Sequence, residues 1–247
     1  MAPVIWHFIK FFERESYADA FMAGSLHLNT LAYFKRLECS TDGRMDSTEA
    51  VAMWFQPDDV VISLDVPGIG KTEITKKDLA APVSVAYQHH DNLHILCLYA
   101  LYTTGFEYGE GGKIYCAPEQ VDEVRKQLTI DERCLKFGKF AVVTPAVPFL
   151  NHLRTALNKQ GYRAVGKLVN YYDDKTFHGE IPVDDVPFRK QKRFSYQREF
   201  RICVQPLIQY SGPLSINVGN LSHICAKVEA SQLPHLYEIK FEAASAP

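Results

Sequence analysis

Long apolar runs are missing from this sequence: no stretch approaches the ~18–20 residues that a membrane span needs. An excess of one charge is missing too. The 27 Lys and Arg face 29 Asp and Glu, for a formal net charge of −2. That balance excludes an overall basic nucleic-acid binder and leaves room only for a local basic patch. Cysteine is sparse, with six residues (Cys39, Cys97, Cys116, Cys134, Cys203, Cys225) and no C-x-x-C. Set among apolar neighbours, as in HILCLYAL and RICVQPL, they read as buried free thiols rather than a disulfide framework or a zinc site. No repeat and no linker interrupts the composition. The opening MAPVIWHFIKFFERES lacks the basic n-region of a secretory signal, and Lys10 and Glu13 break its apolar run. It reads as a first strand, and the chain as a cytoplasmic protein with no membrane partner.

What is present is an ordinary globular composition: 247 residues, 47 % hydrophobic and 23 % charged, enough to bury a core and unlike disordered sequence. VIWHFIKFF predicts a strand, and YADAFMAG predicts a short helix capped by Ser16 and ended by Gly24. SLHLNTLAYFKRLE begins extended and turns helical. Asp42-Gly43 marks a turn in the polar segment TDGRMDSTE. DVVISLDV, PGIG and KTEIT read as a hairpin, and SVAYQHHDNLHILCLYALYT as one or two strands, the second central. APEQVDEVRKQL and VPFLNHLRTALNKQG predict helices, the latter closed by Gly161, with the strand KFAVVTP between them. YRAVGKLVNYYDD is a strand, and DKTFHGEIPVDDVPFRKQKR a polar loop. FSYQREFRICVQPL is a strong strand; LSINVGNLSHICAKV and HLYEIKFE complete the sheet. The expectation is one α+β domain over residues 1–247, rich in strands with helices inserted.

The segment FRKQKRFSYQREFRICV carries the most chemistry. Alternation along a strand sends Tyr196, Phe200, Ile202 and Val204 to one face, with Arg198 near the strand's mouth, and Gln197, Glu199 and Arg201 to the other. A carboxylate between an amide and a guanidinium is costly to bury. One reading is a structural Arg–Glu pair on a half-exposed face; the other is a catalytic Q-x-E strand. The preceding basic run, Arg189, Lys190, Lys192 and Arg193 with Tyr196 and Phe194 interleaved, could hold a pyrophosphate, track a nucleic acid, or form a solvated loop. Arg44, Asp46 and Glu49 could line a cleft or form a salt-bridged turn.

On these residues the chain resembles the ADP-ribosyltransferase superfamily, whose last core motif is [QE]-x-E on a strand. The resemblance implies a strand-rich, mixed or antiparallel split sheet and NAD as substrate, with no metal. It implies Glu199 as the catalytic carboxylate that stabilises an oxocarbenium-like ribosyl centre, and Gln197 as its orienting partner. His7 on the first strand and Asn29, Thr30 and Tyr33 on the segment after the first helix, together with Arg201, are then the NAD contacts. His27 lies in that segment too. Equally, His7 could be a satisfied core histidine. The pieces Y-A-D-A-F-x-x-G, R-x-D-x-x-E (Arg44, Asp46, Glu49) and F-x-K-x-x-x-F-x-x-x-x-E-F-R-I look like an uncharacterised bacterial and phage family of distant ADP-ribosyltransferases in toxin or defence systems.

Two lookalikes are set aside. PGIGKT lacks the first glycine of a phosphate-binding loop, since Asp65 stands there and no helix is expected after it. His89, His90 and His94 could bring His90 and His94 to one strand face, but no third ligand sits at metal-site spacing. The expected function is an NAD-dependent ADP-ribosyltransferase acting as a toxin or anti-phage defence effector and modifying RNA or DNA, for which an antitoxin protein is a candidate partner. The alternatives are a protein acceptor, an NAD glycohydrolase, or a non-catalytic binding module of such a system.

Overall fold

The computed structural model describes residues 2–36, 48–205 and 212–236. In chain order the strands and helices are β1 (Val4–Phe12), α1 (Glu15–Met22), β2 (Ser25–Thr30), α2 (Leu31–Arg36), β3 (Val51–Phe55), β4 (Ile62–Val66), β5 (Gly70–Ile74), β6 (Val83–Ala86) and β7 (His94–Thr103). There follow β8 (Glu107–Gly109), β9 (Lys113–Tyr115), α3 (Val121–Leu128), β10 (Phe140–Pro145), α4 (Ala146–Lys159), β11 (Arg163–Leu168) and β12 (Asn170–Tyr172). Last come β13 (Gly179–Glu180), β14 (Arg189–Gln191), β15 (Glu199–Gln205), β16 (Leu214–Asn217) and β17 (Ala226–Glu229). The result is a strand-rich α+β fold in which the principal sheet is antiparallel throughout. The short β12–β14 pair is parallel.

The principal sheet runs β11-β15-β7-β1-β10-β17 and forks at β7. One edge of β7 is filled by β15, from His94 against Val204 to Tyr99 against Glu199. The other edge is divided. Its later half, Tyr99 to Thr103, pairs with β1, and its beginning, His94 and Ile95, pairs with Thr30 and Asn29 of β2. Beyond the fork β1 leads to β10, and β2 leads to β16. The backbone between the two prongs is left without a strand partner on that side, and the Lys10 ammonium reaches into the gap to donate to the Cys97 carbonyl at 2.9 Å. A buried carbonyl needs such a donor.

One face of this sheet is apolar and is covered by α1 and α4. Phe8, Leu96, Leu98, Phe200, Ile202 and Val204 meet Phe21 and Phe149 there. The rings of Phe21 and Phe149 stack at 5.9 Å, and Phe8 packs against both Phe149 and Phe200. On the opposite face two smaller apolar clusters lie side by side. Ile9, Tyr99, Leu101 and Leu233 belong to one, and Leu31, Ala52, Ile95 and Val186 to the other.

Several expectations change. The first helix starts at Glu15 after Arg14 with no side-chain cap, so Ser16 lies inside it. The polar loop at 174–193 contains β13, β14 and the buried residues Phe188, Lys190 and Gln191. The strand around Glu199 starts only at that residue: 192–197 form a 3₁₀ turn, and Arg198 takes the left-handed conformation at φ 41°. Tyr196 is thereby turned away from Phe200 and packs beside the other cluster. In the sheet, β7 lies between β15 and β1. His90 sits in the turn at 88–92 instead of on the strand with His94. Asp42-Gly43, Arg44, Asp46, Cys39 and most of HLYEIKFE lie outside the described residues. Five cysteines are described, all free. PGIG is a hairpin turn followed by the strand β5.

Phe149 is fully buried among the aromatic rings under the sheet. Phe149→Ala is expected to lower unfolding free energy by about 3–5 kcal/mol through lost transfer energy and an unfilled cavity. Urea denaturation of the two proteins measures it.

Candidate active site

The face opposite α4 carries four charges between its two apolar clusters. Along β15, Glu199 lies across from Tyr99 and Arg201 across from Cys97. Arg201 is 2 % exposed, Lys190 4 %, Glu49 2 % and Glu199 8 %. The Arg201 guanidinium donates from Nε to Glu199 Oε2 at 2.7 Å. Its Nη1 and Nη2 grip both oxygens of Glu49 at 2.9 and 2.6 Å, and Nη1 also reaches the Pro187 carbonyl at 2.8 Å. Lys190 Nζ donates to Glu199 Oε1 at 2.6 Å and to Gln197 Oε1 at 2.7 Å, with Glu49 Oε1 at 3.6 Å. The Phe194 ring lies 4.8 Å from the same ammonium. Two carboxylates and two cations make a neutral cluster, and a fork-shaped guanidinium suits the bidentate half of it.

Local chain geometry delivers each member. β14 pairs with β12 and aims Lys190 inward, while Tyr171 of β12 accepts the Glu199 backbone N–H at 2.9 Å. The 3₁₀ turn and the left-handed Arg198 swing Gln197 to the same place although it is not on the strand. Glu49 comes from a turn directly before Ala50, whose φ is 58°. Among the described residues, Ala50 and Arg198 are the non-glycine residues with positive φ, and each adjoins a carboxylate of the cluster. Such conformations cost about 1–3 kcal/mol each and persist where surrounding contacts enforce them. Arg198 is fixed by its stack on Tyr102, 3.9 Å from the ring, and by its hydrogen bond to the Tyr102 carbonyl.

Beside the cluster is a cavity of about 270 Å³. It lies at the fork, between β1 and β2. Glu199, Gln197, Lys190, Arg201 and Glu49 line one side, and Asn29, His27 and Tyr33 line another. Burial opposes ionisation of Glu199, but Arg201 and Lys190 outweigh it and hold the carboxyl at about 2. Burial likewise works against the charge on Lys190, and Glu199 and Glu49 more than restore it, so its pKa lies above the usual lysine range. Cys97, also lining the cavity, is pushed up to about 11 by burial and by Glu199, which keeps it a thiol and a poor nucleophile at neutral pH.

The expected site residues are therefore sorted. Glu199, Gln197, Arg201, Asn29, Tyr33 and Glu49 come together around the cavity. Arg201 is engaged with Glu49 and Glu199, and a phosphate would have to compete with both carboxylates for it. Lys190 lies on β14 rather than on a loop, lines the cavity and is buried against both carboxylates. His7 is half-buried on β1, opposite Leu101 and Pro145, and does not line the cavity. Burial lowers its pKa, favouring the neutral ring. Thr30 is buried and uses its hydroxyl to accept the Tyr33 N–H at 3.2 Å at the start of α2. Lys192 and Arg193 are exposed, the first 3.7 Å from Asp173, the second over the Phe194 ring. Tyr196 lies under the Arg133 guanidinium at 3.8 Å. Of Arg44, Asp46 and Glu49, only Glu49 is described, and its partners are on β14 and β15. Lys10 and Tyr171 had not been expected at the site; the lysine that interrupts the apolar β1 run was the available signal for the first.

Comparison with family models, with curated proteins and with solved structures yields no match. Among the described residues no helix is long and apolar enough to cross a membrane, and no group of His, Cys, Asp and Glu is arranged to hold a metal ion.

The charge cluster sets an acid limit. Glu199 titrates near 2 in the folded chain and at about 4.3 in the unfolded one. Its stabilisation is therefore complete above the unfolded value and is lost as pH falls from about 5 toward 2. Urea titrations across that window are expected to show an acid slope that Glu199→Gln reduces by about one proton. An identical slope in both proteins would contradict the assignment.

Proposed function

We propose that this chain is an NAD-consuming ADP-ribosyltransferase with an ADP-ribosyltransferase-like split sheet, and that the cavity at the fork is its reacting centre. The observation carrying this reading is Glu199: an ionised carboxylate, oriented through both oxygens, at the edge of a cavity and beside a strained backbone residue. Each carboxylate oxygen accepts one hydrogen bond within the cluster and has capacity for another. Ribose hydroxyls can take those places. As the bond from ribose C1′ to nicotinamide lengthens, positive charge gathers on the ribose ring, and a fixed carboxylate stabilises it more than it stabilises the ground state. Nicotinamide leaves with the bonding electrons. The acceptor's nucleophile then bonds to C1′ and gives up its proton.

Asn29 and Tyr33 face the cluster and supply an amide and an aromatic ring for the leaving group. The cavity is below the roughly 300–1,000 Å³ of pockets that enclose drug-sized ligands. It fits the nicotinamide–ribose end, and the remainder of the dinucleotide extends outside. A nucleic acid remains the favoured acceptor, with a cellular role as a toxin or anti-phage effector held by an antitoxin, and a protein acceptor or water next. The basic run supports a nucleic acid less than its composition suggests, because Lys190 is committed to the cluster and Lys192 has Asp173 nearby.

A second reading has its own observation. Both carboxylates are already bridged by cations, as in a purely structural core, and a non-catalytic binding module needs nothing more.

Incubating labelled NAD with the full chain and RNA, DNA or lysate separates the two readings. The catalytic one expects nicotinamide release and label on an acceptor, with turnover cut about 10²–10³-fold in Glu199→Gln that circular dichroism shows to be folded. Release equal in variant and wild type, or absent from both, would overturn it. Lys192→Ala/Arg193→Ala is expected to weaken labelling of RNA or DNA and to lower its salt dependence by about one contact per lost cation. Unchanged labelling at every salt concentration would point to a protein acceptor.

A further inference from the structure

Gln197 and Glu199 do not meet because a strand alternates. The strand begins at Glu199, Arg198 is left-handed, and Gln197 belongs to the preceding turn. Their functional atoms are joined through one group, the Lys190 ammonium, which donates 2.7 Å to Gln197 Oε1 and 2.6 Å to Glu199 Oε1. Because Lys190 consumes the Gln197 carbonyl oxygen, the amide Nε2 is directed elsewhere, and it donates to the Tyr196 hydroxyl at 3.3 Å. The lysine therefore determines which end of this amide points away from the carboxylate. It also occupies one Glu199 oxygen while Arg201 occupies the other, so the carboxylate plane is defined from two sides. Lys190 itself is buried and sits over Phe194, which restricts its rotamers.

We propose that Lys190 is a positioning residue, assembling Gln197 and Glu199 into a working pair that the backbone alone does not provide. This rests on the catalytic reading above, and it gives the lysine a role other than binding phosphate or balancing charge. The groups facing Glu199 are Lys190 on β14, Arg201 on β15, Cys97 on β7, Tyr171 on β12, Cys134 in the turn before β10 and, through the two cations, Glu49.

Removing the lysine alone leaves an extra buried negative charge, and Lys190→Met can fail to fold for that reason. The informative protein is Lys190→Met/Glu49→Gln, which deletes one charge of each sign and leaves Glu199 with Arg201. Thermal unfolding establishes that it is folded. Nicotinamide release is then followed against pH and NAD concentration, and the Glu199 carboxyl carbon is titrated by NMR in the full chain. The expected result is a roughly 10²-fold loss of kcat with KM little changed, as misplacement of a reacting group produces. The acid limb of the rate profile and the Glu199 titration should both move to higher pH. Loss of a counter-charge alone also moves the Glu199 titration, so kcat decides: a folded double variant with wild-type kcat would overturn the proposal, leaving Lys190 as a counter-charge only. Should the wild type release no nicotinamide, the catalytic reading falls by itself. The Gln197 side-chain amide resonances still decide the positioning role: movement of these sustains it, and no movement refutes it.

Discussion

Arg201 makes four hydrogen bonds with one side chain and is 2 % exposed. Through it, the turn before β3, the turn before β14 and the strand β15 are tied to a single planar cation. Glu49 and Arg201, joined in this way, are 152 residues apart in sequence. The guanidinium is tolerated there only because two carboxylates neutralise it. The second of these would carry an unbalanced charge without Lys190. Each ion in the cluster is a condition for burying the next.

A core of this size could have been completed more cheaply. Replacing a buried ion cluster with apolar side chains of similar volume is often neutral or stabilising, and the other face of the same sheet is built that way with Phe8, Phe149 and Phe200. The polar alternative occurs where β1 and β2 diverge from β7 and a cavity opens. It comes with two left-handed non-glycine residues at its margins. Cost concentrated at one position, beside a space, is what makes this cluster the candidate site.

The hairpin β4–β5, which has no buried residue, was legible in the sequence from its PGIG turn. The strands β1, β7 and β15 and the helix α4 were legible because their apolar spacing follows burial on one or both faces. The shared face of Glu199 and Arg201 was legible for the same reason. Gln197 was not: the alternation that placed it correctly near Glu199 assumed a strand, whereas the chain uses a turn and a left-handed Arg198 to reach a similar point. Lys190 was hidden inside a basic run, where its neighbours Lys192 and Arg193 are indeed exposed. Only the two carboxylates opposite distinguish it, and local composition does not reveal partners so distant in sequence. The fork was equally invisible, since pairing partners along β7 change without any change in its own apolar pattern.

The fork also bears on when the protein can exist as a working object. The cavity draws residues from β1, β2, β7, β14 and β15, so it stays incomplete while the chain is being made. At a synthesis rate of about 5–20 residues per second, roughly 8–30 s separate the emergence of Glu49 from that of Arg201. Throughout that interval Glu49 has no guanidinium to bind, and β7 has no β15 along its edge. A nascent chain therefore has neither the closed cavity nor the complete charge cluster until most of it has been translated.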